Sequence, residues 1–284
     1  MHGELAQAIA LVAYGNVFLN GQSQAPELLE TNSTLQYIDN VKFLYGSSLR
    51  KAIEVSNNVP SWFSYLRTLN AKRLWLMIFP SNIGTPEPIA TSFAATGRWV
   101  IQVDLPDGFD FWTANWHSPL KPLRPSKRWE VMYWGNSLKK PMARSPNLES
   151  AKADLLSEIA KARDLVSRTL LTFEGETDEG PRLPLKFYLG VFTEVLQLAV
   201  SSNPKIPYHP DLLPLTGYDL KARQVAAMAV RAWVFGGMSS WNDLEWVFKG
   251  SEKEYHQITE KLYAAVTSSL VNATNSFVPQ RPLT

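Results

Sequence analysis

One turn in the sequence has residue types that suit ligand binding. Trp241, Asn242 and Asp243 follow a short segment of glycines and serines that ends an almost entirely apolar stretch. Amide and carboxylate groups beside an indole ring are a common lining of ligand pockets, because they combine directional hydrogen bonds with an aromatic wall. We therefore predict that this turn binds a ligand or partner; the alternative is that Trp241 anchors the turn in the core.

A basic stretch with interleaved aromatic rings occupies residues 121–144. This stretch contains seven Lys or Arg residues and one acidic residue, Glu130, which gives a local net charge of +6. Arginine beside tryptophan is typical of interface anchors, so we predict that Arg128 and Trp134 contact a partner. Cations along a phosphate backbone, with bases stacked on the rings, would also suit nucleic acid. The whole chain has a net charge of only +2, which disfavours nucleic-acid binding without excluding it.

Carboxylates close to tryptophans suggest a catalytic alternative. Asp104 and Asp110 flank a predicted turn, and Glu130 follows in a later apolar segment. Two carboxyl groups beside aromatic platforms can hydrolyse a glycosidic bond, since one protonates the leaving oxygen while sugar faces stack on the rings. The alternative function is therefore a hydrolase, with glycans as one substrate class, in which Asp104, Asp110, Glu130 or Asp243 converge.

The sequence lacks the residues that several kinds of catalytic or cofactor site require. The chain has no cysteine, which removes disulfides, thiolate nucleophiles and cysteine zinc sites. The glycine patterns of dinucleotide and P-loop sites are absent, and Trp241 replaces the second glycine of a nucleophile-elbow motif. Glu252, His256 and Glu260 share a helical face that points away from the apolar side, so we expect it to be solvated. We expect no metal and no cofactor, and whether the protein is an enzyme stays open.

The elements that must position these residues fall into three regions. Apolar residues at helical spacing predict a helix over 4–19, and Pro60 is placed to begin a second one. Four apolar or β-branched runs over about 73–138, separated by turn residues, predict consecutive antiparallel strands. Beyond Pro141, apolar spacings of three and four predict four or five helices. The predicted fold class is α+β: N-terminal helices, an antiparallel β-meander and a C-terminal helical layer or bundle.

Length and composition limit the remaining possibilities. The 284 residues are 45% hydrophobic, enough for a sizeable core, and we predict a single domain over 1–284; the alternative is two subdomains, 1–141 and 142–284. The first residues lack the positive charge of a secretory signal, and no apolar run is long enough to cross a bilayer, so we expect a cytoplasmic protein without membrane contact.

The leading function is that of a ligand- or protein-binding protein without a recognisable catalytic motif. Ten tryptophans are more than a core of this size requires, so we expect several indole rings to face outward beside cations and amides. The partner, protein or small molecule, is not specified by the sequence. Self-association into a homo-oligomer stays open.

Overall fold

The computed structural model describes ten stretches of the chain. They are residues 1, 3–21, 31–48, 51–78, 99–118, 129–141, 143, 145–173, 180–236 and 240–279. Within them lie six α-helices: α1 (Gly3–Leu19), α2 (Val59–Thr68), α3 (Leu148–Thr172), α4 (Arg182–Leu198), α5 (Leu220–Arg231) and α6 (Glu252–Asn275). The six strands are β1 (Ile38–Tyr45), β2 (Ile53–Ser56), β3 (Arg73–Ile78), β4 (Trp99–Leu105), β5 (Gly108–His117) and β6 (Trp129–Leu138).

The strands form one mixed sheet in the order β2-β1-β6-β5-β4-β3. The predicted meander is confirmed, because β3, β4, β5 and β6 pair antiparallel in sequence order. The sequence did not predict the other two strands. β1 pairs parallel with β6, and β2 pairs antiparallel with β1. The fold class is therefore α+β as predicted, but the sheet is larger than the meander and not wholly antiparallel.

The helix α1 lies in the centre of the molecule. Fourteen of its 17 residues are buried, and it contacts α6 as well as β3 and β4. A helix that is apolar on every side must be covered on every side, which explains why α1 is packed between the sheet and the C-terminal helices. Two of its buried polar side chains form hydrogen bonds with the sheet: Asn16 bonds to the backbone of Leu74, and Gln7 Oε1 accepts a hydrogen bond of 2.8 Å from the Tyr133 hydroxyl.

Aromatic rings fill the space between the sheet and α2. Phe43 of β1 stacks on Trp62 of α2, with ring centroids 4.4 Å apart, and also on Tyr133 of β6 at 5.1 Å. Trp112 of β5 meets Trp62 edge-on at 5.4 Å. The ring of Trp112 lies over Gly135, where a Cβ atom would come within 2.7 Å of ring carbons. This position therefore requires glycine.

Two asparagine side chains pair with the outer edge of β3. Asn16 of α1 accepts a hydrogen bond from the backbone N–H of Leu74 and donates one to its C=O, at 2.8 and 2.9 Å. Asn275 of α6 makes the same pair of bonds with Leu76, at 2.7 and 2.8 Å. An exposed strand edge is a template for aggregation, and here helix side chains occupy it as another strand would.

The four C-terminal helices pack on one another, with the closest pairings between α3 and α6, α3 and α4, and α5 and α6. Asn147 and Asp219 cap α3 and α5 through their side chains. Every helix in the described stretches is too short or too polar to span a lipid bilayer. The division into one domain or two stays a prediction.

Candidate functional site

Trp241 is at the centre of the turn and is fully buried. Its ring meets Tyr188 and Phe192 of α4, each at 5.3 Å between centroids, and its Nε1–H donates to the Thr259 hydroxyl at 2.9 Å. The hydroxyl of Tyr255 donates a hydrogen bond to the backbone C=O of Trp241. Side chains of α4 and α6 enclose the indole, so the ring anchors the turn in the core. Binding of a partner through Trp241 itself stays a prediction.

Asn242 holds the shape of the same turn. Its Oδ1 accepts hydrogen bonds from the Gly236 N–H, at 3.2 Å, and from the Ser240 hydroxyl. Its Nδ2 donates to the C=O of Gly236 at 3.4 Å and to Asp243 at 3.2 Å. The amide is thus committed to the loop, which leaves Asp243 as the exposed polar side chain of the predicted trio.

A surface depression of about 440 Å³ adjoins the turn, and we call it the Trp246 depression. Its lining consists of Asn242, Asp243, Glu245, Trp246, Lys249 and Glu252. Trp246 is 54% exposed, the highest exposure among the ten tryptophans, all of which the structure describes. Nothing in the sequence marks Trp246 as the exposed ring, because local spacing does not show which of two nearby indoles, Trp241 or Trp246, is enclosed by other helices.

The lining of the depression is acidic, with three carboxylates against one ammonium group, a net charge of −2. Backbone N–H groups of Gly250 and of Glu252 itself lower the pKa of Glu252 and keep it ionised. Asp243 lies close enough to Tyr188 to add to the effect of burial, which raises the pKa of that phenol to about 12. Glu245 lies 3.4 Å from the ring nitrogen of the exposed His256.

The other predicted contact residues lie elsewhere. Trp134 is half-buried on the face of the sheet away from α1 and α2, opposite Leu44 and Thr113, and donates a hydrogen bond of 2.8 Å to the Gly46 C=O. Arg128 and much of the basic stretch 121–144 lie outside the described residues. Contact of these residues with a partner, and binding of nucleic acid, therefore stay predictions.

The four carboxylates of the hydrolase alternative do not converge. Val103 pairs with Asp110 across the sheet, so Asp104 next to it points to the opposite face. Glu130 pairs with His117 at 2.8 Å, near the other end of β6. Asp110 pairs with Ser137 of β6, which lies seven positions after Glu130 on the same strand. This spacing corresponds to a distance of about 23 Å. Asp243 belongs to the turn between α5 and α6.

Asp110 alone has the surroundings of a functional carboxyl group. It is 3% exposed, and its only described hydrogen bond comes from the Tyr45 hydroxyl at 2.9 Å. Burial raises the pKa of Asp110, and this hydrogen bond partly opposes the rise. Burial and the Asp110 charge in turn raise the pKa of Tyr65 on α2. General acid–base hydrolysis needs a second carboxylate, and the other three candidates are placed too far away or on the wrong face.

A Ser-His-Asp cluster that sequence spacing could not reveal joins two distant loops. The Ser33 hydroxyl donates to Asp211 and lies 3.0 Å from His209 Nδ1, while the Ser33 N–H also donates to Asp211 at 2.8 Å. Because the only hydroxyl proton points to Asp211, His209 serves as a donor to Ser33 and not as its base. Burial lowers the pKa of His209. The cluster ties the loops together and lacks the order of a catalytic triad.

The backbone next to this cluster is strained. Tyr208 has a positive φ of 63°, and the His209 N–H donates to the Pro207 C=O at 2.7 Å across it, which is the hydrogen bond of a γ-turn. The turn directs His209 toward Ser33. In the described stretches, no three His, Asp or Glu side chains group closely enough to hold a metal ion.

The tryptophans follow the expectation of outward-facing rings only in part. Six of the ten are buried, three are half-buried and Trp246 is exposed. The half-buried ring of Trp75 on β3 lies under the Arg73 guanidinium, 3.9 Å from the ring centroid, a pairing of an indole with a cation to which the sequence did not point. In comparisons with family models, curated proteins and solved structures, no match to this chain was found.

Proposed function

We propose that this chain is a binding protein that accepts a positively charged group, an ammonium or a guanidinium, in the Trp246 depression. The observation that carries the proposal is the exposed Trp246 ring beside three carboxylates. A cation over an indole face is attracted by the ring electrons, and nearby carboxylates supply the balancing charge. Tryptophan is also the residue type most enriched among the energetic centres of interfaces.

The ligand class follows from the charge of the depression. Its net charge of −2 would repel phosphate, so nucleic acid is disfavoured at this surface. A cationic side chain of a partner protein or a small amine fits the same chemistry. The separation of Asp104, Asp110 and Glu130 supports binding over the hydrolase alternative. The cytoplasmic location expected from the sequence belongs to this proposal.

The test uses amino-acid amides as probes and indole N–H resonances of the full chain as the readout. N-acetyl-trimethyllysine amide and N-acetyl-arginine amide should shift the Trp246 resonance saturably in the millimolar range, whereas N-acetyl-glutamate amide should not. The resonance is assigned by its loss in Trp246→Phe. Replacement of the ring in Trp246→Ala, with binding followed through the backbone amide resonance of Lys249 in both chains, should weaken binding about two- to fivefold, which corresponds to the ~0.5–1 kcal/mol of an exposed cation–π contact.

The matched control is Glu260→Gln, which neutralises an exposed carboxylate of α6 outside the depression. It should leave binding unchanged, while Asp243→Asn with Glu245→Gln should weaken it. The proposal is wrong if cationic and anionic probes shift Trp246 equally, or if the double neutralisation has no more effect than the control.

A further inference from the structure

The solvent-facing side of α4 carries large apolar side chains. Leu183 and Phe187, one helical turn apart, are 66% and 59% exposed. At 100° per residue the exposed positions of the helix fall within an arc of about 100°; they are Leu183, Lys186, Phe187, Gly190, Glu194 and Gln197. The opposite side of α4 packs into the core through Leu185, Tyr188, Val191, Phe192 and Val195.

The stripe carries one positive and one negative side chain at equal distances from its middle residue, Gly190. Lys186 and Glu194 stand four residues before and four residues after Gly190. Glu194 is ion-paired with Arg231 of α5, which lowers the pKa of its carboxyl group and keeps it negative. Gly190 has open space where a Cβ would lie, so a second helix could approach closely there.

We propose that α4 is a self-association surface on which two copies of this chain cross antiparallel at Gly190. Two-fold symmetry about this point sets Lys186 of each copy opposite Glu194 of the other, so the contact is complementary to itself. Phe187 of each copy then packs beside Gly190 of the other, as a knob fills a hole. A second copy fits this surface because the same stripe supplies both charges.

One helix face buries less than the ~1,200–2,000 Å² of a standard interface, so we expect a weak dimer with a dissociation constant on the order of 10 μM or above. Sedimentation velocity of the full chain over a range of concentrations tests this. The sedimentation coefficient should rise with concentration, and Phe187→Glu should abolish the rise. Leu215→Glu, at an exposed leucine outside α4, is the matched control and should dimerise as the unaltered chain does.

Charge exchange tests the register. Lys186→Glu and Glu194→Lys should each weaken dimerisation at least tenfold, and the double variant should restore it, because the opposed charges are then swapped. Circular dichroism confirms that each variant is folded. The proposal is overturned if the chain stays monomeric at all concentrations, if Phe187→Glu still dimerises, or if the double variant is no stronger than the single ones. If the chain is monomeric and its α4 binds a different protein, self-association is overturned and the surface is a docking site for that protein.

Discussion

Replacing Asn275 by alanine tests the protection of the sheet edge directly. The asparagine is 2% exposed and satisfies both backbone groups of Leu76, at 2.7 and 2.8 Å. Alanine offers neither a donor nor an acceptor, and among the described strands none lies on that side of β3. The N–H and C=O of Leu76 would therefore lose their partners together.

The expected loss of stability follows from these two groups. A buried backbone group without a partner costs about 1–3 kcal/mol, so the free energy of unfolding should fall by about 2–6 kcal/mol. The lower half of this range applies if water reaches the vacated edge. The Leu76 amide should also exchange its hydrogen faster, since that N–H would no longer be held by Asn275 Oδ1.

Asn272→Ala is the matched control, since Asn272 lies one turn earlier on α6. Its side chain accepts from the Asn147 N–H at 2.6 Å and donates to the Ser268 C=O at 2.9 Å, both at the surface. Water can replace these bonds, so this variant should lose about 1 kcal/mol or less. Urea unfolding measures both. Equal losses in the two variants, or a loss below about 1 kcal/mol in Asn275→Ala, would refute the reasoning.

Two further predictions concern packing and pH. Gly135→Ala should lower the free energy of unfolding by about 1–3 kcal/mol in urea unfolding, because its Cβ would lie 2.7 Å from the buried Trp112 ring. His209 has a pKa below its ordinary value of 6.5 in the folded chain, so the unfolded chain binds more protons just below pH 6.5. Stability should therefore fall as the pH drops from 6.5 toward the folded-state pKa of His209. His209→Asn, which retains a donor for Ser33, should reduce this slope.

Each of these predictions can fail in a distinct way. A Trp112→Phe background removes the ring carbons that would meet the new methyl group, so Gly135→Ala should cost less there than in the unaltered chain. An unchanged cost would contradict the clash. For His209, an unfolding free energy with the same pH slope in His209→Asn would show that other groups produce the dependence.

The meander was predictable because its strands are local signals. Residues 74–79 form an apolar run closed by Pro80, and Pro106-Asp107-Gly108 separates β4 from β5, so short-range chemistry fixes both strands and pairing. β1 has polar residues at 39, 40 and 42, which interrupt the buried apolar positions Ile38, Val41 and Phe43. Its partner β6 lies far along the chain, and no local pattern specifies such a parallel pairing.

The sequence drew attention to the turn after α5, but it could not show which side chains of that turn face solvent. The sequence identified the turn after α5 and its Asp243, but it assigned the aromatic wall to Trp241. Burial of that ring depends on α4 and α6, which meet only in the folded molecule. Ser33, His209 and Asp211 were missed for the same reason, since nearly 180 residues separate the first from the other two.

The burial of α1 has a consequence for synthesis. The ribosome makes this apolar helix well before α6, which covers it in the finished molecule. Until α6 emerges, α1 can be only partly enclosed. Exposed hydrophobic surface of this kind favours misassembly and chaperone binding in a nascent chain. Truncated chains that end before Glu252 should therefore associate with holdase chaperones, whereas the full chain should be released.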